Sequence, residues 1–210
     1  MRKMLCLLVC CLAGNFVGAT TIYSNDFESS VGSEWSATTI KQTPSGQRFL
    51  GDWSNTLVTL SLGSIPSHTD IKLEFDLYIL QTMDGNNGDI WTLAIQDGPV
   101  LLNTTFTNLN NSGQGPRQSY PDNYPSSHPA HTGASAVRSL GYKAGDSTYH
   151  LVYTFNHLED DVVINFQGSS MQSVSDESWG LDNIIVTAVP EPTTISLLTI
   201  GFMGILKKRN

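Results

Sequence analysis

The sequence predicts an all-β protein, a two-sheet antiparallel sandwich of the jelly-roll kind, and three observations carry that expectation. Residues 71–80 read Ile-Lys-Leu-Glu-Phe-Asp-Leu-Tyr-Ile-Leu. This period-two alternation puts Ile71, Leu73, Phe75, Leu77 and Ile79 on one face of a strand. Similar runs recur along the chain between clusters of Pro, Gly, Asn and Asp, and no stretch of useful length has the helical period. The composition agrees, because 18 Gly, 9 Pro and only 14% charged residues suit a turn-rich β protein better than a helical bundle.

Taken in order, the chain opens with Arg2 and Lys3, an apolar run over residues 4–17, and Val17-Gly18-Ala19. A short basic region, an apolar stretch too short to span a bilayer and a small-residue site predict a secretory signal peptide cut after Ala19. All three cysteines, Cys6, Cys10 and Cys11, fall inside it. The exported body is therefore expected to have neither disulfide nor thiol chemistry. Strands are then expected at 20–28, 48–51, 56–62, 71–80, 90–96, 100–106, 148–155, 162–166 and 181–188, which together make one sandwich domain over residues 20–188.

Residues 108–135 interrupt the rhythm with Pro, Asn, Ser, Gly, Tyr and His and no periodicity. They read either as a functional loop or as a meander pinned by Tyr120 and Tyr124. The formal charge of −8 understates the acidity of the body. Between residues 20 and 188 stand six basic and eighteen acidic residues. Such a surface repels phosphate backbones, which excludes a nucleic-acid binder, and attracts cations.

The far end reads Val189-Pro190-Glu191-Pro192, an apolar stretch over 193–206, and Lys207-Lys208-Arg209-Asn210. As a helix the apolar stretch would reach about 21 Å against a ~30 Å hydrocarbon core, a marginal anchor whose basic end stays cytoplasmic. Pro190, Glu191 and Pro192, the short stretch with Gly201 and Gly204, and the basic terminus resemble the PEP-CTERM sorting signal of Gram-negative bacteria. The resemblance implies transient anchoring in the inner membrane. It also implies recognition by an exosortase-type membrane protease and delivery to the cell surface or an extracellular polysaccharide matrix.

Within the body, Asn25-Asp26-Phe27-Glu28 near the start and Ser178-Trp179-Gly180-Leu181-Asp182-Asn183 near the end are similar to the opening and closing strands of jelly-roll carbohydrate-binding modules. That resemblance implies neighbouring first and last strands and a structural calcium held by Glu28 and Asp182, helped by Asp26. Alternation independently sets Asp182 on the face of Ile184, Val186 and Ala188, where a buried carboxylate needs a metal, a partner or backbone N–H donors. Residues 84–89, Asp-Gly-Asn-Asn-Gly-Asp, are read as a turn rather than a cation loop. Glycan stacking needs an exposed ring. Trp91 and Trp179 are assigned to the core, while Trp53 with Asp52, Tyr120 and Tyr124 are the expected glycan contacts.

No nucleophile elbow, HExxH helix or phosphate loop is present. In His128-Pro129-Ala130-His131 the proline forbids the helix that would align two ligands. No catalytic residue is assigned. The leading expectation is a non-enzymatic exported protein that binds glycan. The rivals are a glycan hydrolase using carboxylates among Glu74, Asp76, Asp52 and Asp89, or a structural matrix protein acting through residues 108–135.

Overall fold

A computed structural model describes residues 18–109 and 117–191. The apolar part of the expected signal peptide and the sorting segment from residue 192 onward lie outside the described residues. The strands are β1 (Thr20–Asn25), β2 (Ile40–Gln42), β3 (Arg48–Trp53), β4 (Leu57–Gly63), β5 (Asp70–Gln81), β6 (Ile90–Ile95), β7 (Val100–Thr105), β8 (Ala136–Val137), β9 (Asp146–Asn156), β10 (Asp161–Ser169) and β11 (Glu177–Val189). All nine expected strands are present. Only β2 and β8, too short for alternation to register, were not anticipated. The 84–89 segment is a turn with a single 3₁₀ turn at Gly85–Asn87.

The strands form two antiparallel sheets. One runs β2-β3-β11-β5-β9-β8 with β1 also on β11, and the other runs β4-β10-β6-β7. Pairing is nested: β3 meets β11, β4 meets β10, β5 meets β9, and β6 meets β7. A long hairpin folded over so that successive arms alternate between sheets gives this order, which is the jelly roll. Between the sheets, alternate residues interdigitate around a buried aromatic centre. Phe75, Trp91, Phe166 and Trp179 meet edge-on or tilted at 5.4–6.5 Å.

Both edges of the four-stranded sheet are covered, as edges that are not to template aggregation must be. Along β4, Ser36 N–H donates to Thr59 O at 3.0 Å and Ser61 N–H to Glu34 O at 2.8 Å. Along β7, Tyr124 N–H donates to Asn103 O at 2.8 Å and Tyr120 N–H to Thr105 O at 3.2 Å. Residues 117–135 of the expected long loop thus form a strap. Its Tyr120 ring packs on Phe106 and Tyr149 at 5.0 and 5.1 Å. The fully buried Gln118 accepts from Tyr149 and His131 N–H, while its amide donates to the carbonyls of Tyr120 and Thr132.

A second apolar cluster forms outside the larger sheet, from Phe49, Tyr78, Leu80 and Leu140 with Tyr142 against it. Its cover, residues 138–146, is folded by the buried Asp146, whose carboxylate accepts from Leu140 N–H at 2.9 Å and Tyr142 N–H at 3.1 Å. The Phe49 ring lies over Gly51 and Gly180, cross-strand partners where any Cβ would collide with it.

Candidate functional site

Two surfaces present themselves. The first is an acidic cleft of about 500 Å³ on the outer face of the larger sheet, lined by Asp26, Glu28, Asp76, Tyr78, Asp182 and Asn183 among others. Local folding explains it. On one edge of β11 the partner changes from β3, which pairs with residues 179–181, to β1, which pairs with residues 184–188. Phe27, at φ 51° and fully buried, follows β1 and leaves Asp26 and Glu28 exposed on either side of it. The three residues expected to share calcium therefore line one cleft, joined by Asp76.

Asp182 does not share a face with Ile184, Val186 and Ala188. A β-bulge at Asn183, with φ 51°, inserts one residue against β5 and reverses the phase, so the carboxylate stands on the outer face while Ile184 enters the core. There its Oδ2 accepts from the Tyr78 hydroxyl at 2.7 Å and its Oδ1 from Asn183 N–H at 2.8 Å. Burial, opposed by those two donors and reinforced by Asp76 and Glu28, pushes its pKa up to about 6. Beside it, Asp76 accepts from His150 Nδ1–H at 2.9 Å and from the Asn183 amide at 2.8 Å. Glu28 Oε1 takes only a long bond from Arg48 N–H.

The expected calcium ligands Glu28, Asp182 and Asp26 thus share one cleft, with Tyr78 and Asn183 already on the Asp182 carboxylate. Calcium wants six to eight oxygens, roughly, at free lone pairs. Both Asp182 oxygens face donors, and among the described residues no group of three or more His, Cys, Asp or Glu is placed to hold a metal ion.

The expected glycan contacts disperse. Trp53 is not the exposed ring that was expected. It ends β3 at 9% exposure against Trp179, 5.1 Å between centroids, so neither ring face is free for a sugar. Trp179 is wholly buried and its indole N–H donates to Ser54 O at 2.9 Å. Asp52 is half-buried beside Ser178, and burial raises its pKa. Tyr120 belongs to the strap's aromatic anchor, and only Tyr124, 44% exposed, is an open ring.

The carboxylates considered for hydrolysis each have a partner or a buried setting of their own. Glu74 pairs with Lys72, Asp76 with His150, and Asp89 is buried at the turn after β5, where its proton is held well above the usual carboxylate range by burial and by the facing Glu177.

The second surface is the outer face of the four-stranded sheet. Apart from Asp161 at the end of β10, none of its four strands contains an ionisable residue. Two rows cross it in register, Thr59–Asn165–Ala94 and Leu57–Gln167–Thr92–Asn103. All are partly or well exposed. At the centre, the Asn165 side-chain carbonyl oxygen is itself buried and has no hydrogen-bond partner. Tyr124 lies along the β7 edge, bonded through its backbone to Asn103. The signal was present in the sequence, since four of the nine expected strands lack any ionisable residue. Which strands share a sheet, however, does not follow from alternation.

No protein-family model matches the chain, and no curated protein matches it. Among solved structures, the chain is similar to an adhesin domain of Lys-gingipain from Porphyromonas gingivalis, at 12% identity over 81% of this chain and 99% of that one, with a TM-score of 0.38. A carbohydrate-binding module of a Cellvibrio mixtus lichenase, in complex with cellotriose, gives 14% identity over 81% and 99%, with a TM-score of 0.36. An exo-β-1,3-galactanase from Phanerochaete chrysosporium, with β-1,3-galactotriose, gives 15% over 80% of this chain and a TM-score of 0.37, and the chain spans 29% of that enzyme's length. The functional reading rests on the chain's own residues.

Proposed function

We propose that this protein is an exported, non-enzymatic binder of uncharged glycan, and that the outer face of the four-stranded sheet is its binding surface. The observation that carries this reading is the near absence of ionisable residues from the four strands of that face, in a body with eighteen acidic residues, together with the exposed Gln167 and Asn103 in its polar rows. A neutral polysaccharide offers hydroxyls that donate and accept. Rows of Thr, Asn and Gln answer both roles, and the four strands at ~4.8 Å spacing span the width of two or three sugar units. Nucleic acid would require cations that the face does not have.

The test is affinity electrophoresis of the purified protein through gels containing neutral β-glucans or galactans. Retardation is expected, with Asn165→Asp and Gln167→Glu weakening it at least tenfold while the thermal midpoint stays within a few degrees of wild type. Absence of retardation on every neutral polysaccharide, or equal retardation of the variants, would overturn the reading. Export and sorting are proposed with it. Intact-mass measurement of protein recovered from the cell surface is expected to find a chain that begins at Thr20 and has lost the residues beyond Pro190, Glu191 and Pro192 to an exosortase-type protease.

A further inference from the structure

The end of β11 is held by one residue of a tight turn, and that turn is held in place by two histidines. Thr69 N–H donates to Val189 O at 2.9 Å, and its hydroxyl reaches the same oxygen at 3.4 Å. Thr69 O in turn accepts from His157 N–H at 3.0 Å and from the Asn156 amide at 2.8 Å. Its neighbour His68, only 7% exposed, bonds Pro66 O through Nδ1 at 2.7 Å and His157 Nδ1 through Nε2 at 2.9 Å, the two rings within 14° of parallel. Residues 66–69, the end of β9 and the last residue of β11 are thereby joined at the point where the chain leaves the sandwich.

The protonation of the pair is constrained by its partners. A carbonyl can only accept, so His68 carries its proton on Nδ1 and offers Nε2 as acceptor to His157 Nδ1–H. One added proton is tolerated, because a shared N–H···N bond survives with a single charge. With both rings protonated, two N–H groups face each other and the bond is lost.

We propose that the His68–His157 pair is an acid-released clamp on the root of the C-terminal segment. Double protonation frees the 66–69 turn, and with it Val189 at the end of β11. The groups facing the pair set where this happens. Burial and the opposing His68 hold His157 neutral to lower pH than a free imidazole, while Glu159, Asp161 and the Asp161 carbonyl oppose that shift. Asp97 lines the same groove from the β6–β7 turn, Asp70 accepts from the Thr69 hydroxyl, and the Phe155 ring edges His157 at 6.3 Å. No lysine or arginine is among these facing groups.

The experiment is amide hydrogen exchange followed by NMR, corrected for intrinsic rates, from about pH 8 to about pH 5. Protection of the Thr69 amide is expected to fall by up to tenfold per pH unit for each proton taken up, while the Leu77 amide in mid-β5 stays protected. In His157→Gln, which keeps a hydrogen-bonding side chain, Thr69 protection should lose that pH step. Constant Thr69 protection across the range, or the same step in the variant, would overturn the clamp. Joint loss at Thr69 and Leu77 would overturn it too, by showing global unfolding instead.

Discussion

The strands of the four-stranded sheet contain one ionisable residue, Asp161, whereas those of the larger sheet contain Lys41, Arg48, Asp52, Asp70, Lys72, Glu74, Asp76, Asp146, His150, Glu177 and Asp182. The charged face is the one whose hydrogen-bonding capacity is already used. Lys72 meets Glu74, Asp76 meets His150 and Asn183, Asp182 meets Tyr78, and Asp146 folds the loop that covers Phe49. On the uncharged face a single long bond, from the Thr92 hydroxyl to the Asn103 carbonyl at 3.4 Å, joins the side chains of the polar rows among the described residues. Polar residues that satisfy one another build structure, while polar residues left without partners on an open sheet are available to a ligand.

The comparison breaks most sharply on stability. Phe49→Ala should cost about 3–5 kcal/mol, because it empties the cluster between the larger sheet and residues 138–146. Gln167→Ala and Thr59→Ala on the other face should stay within about 0.5 kcal/mol. Urea unfolding measures both, and losses of similar size on the two faces would remove the distinction between a structural and a vacant surface.

Next in size is the dependence on pH. Asp182 titrates at about 6 in the folded chain against about 4 unfolded. Between those values the folded state binds the extra proton, so stability is fully present below about 4 and is lost as pH rises through about 6, by up to about 3 kcal/mol. Asp89, buried against Glu177, shifts in the same direction. His131 and His157, both lowered by burial, act the opposite way, and their stabilisation is lost as pH falls below the usual imidazole range. Asp182→Asn isolates the carboxylate: its unfolding free energy should be flatter between about pH 4 and about pH 7 than that of wild type. An unchanged slope would mean that Asp182 is ionised throughout. Tyr78→Phe removes the donor that favours the ionised form. It should cost about 1–3 kcal/mol above the titration of Asp182 and less below it.

Much of this contrast could be read in advance, and the exceptions have physical causes. Period-two runs located nine strands because each has one face in the core, and β2 and β8 escaped because two or three residues show no period. Asp182 was placed on the wrong face because a single bulge residue, Asn183, inverts every position before it relative to those after. Trp53 was misread because Asp52, Ser54 and Asn55 resemble a turn, whereas Trp179 across the ladder draws the ring inward. Gln118, the buried amide that orders the strap, carries no signature at all. Its role arises from carbonyls and N–H groups brought together only by the fold.

The smallest expected effect concerns calcium, and it bears on whether the charged face is also a binding site. A cation bound only by the folded state would raise stability by mass action, by about 2.7 kcal/mol at a hundredfold excess over its dissociation constant. With both Asp182 oxygens occupied by donors and Glu28 held only by a long bond to Arg48, the thermal midpoint should be the same in millimolar calcium and in chelator. A calcium-dependent rise that disappears in Glu28→Gln would require Tyr78 and Asn183 to release the carboxylate. The larger sheet would then be a surface that exchanges its internal hydrogen bonds for a ligand, and the division of labour between the two faces would fail on its charged side.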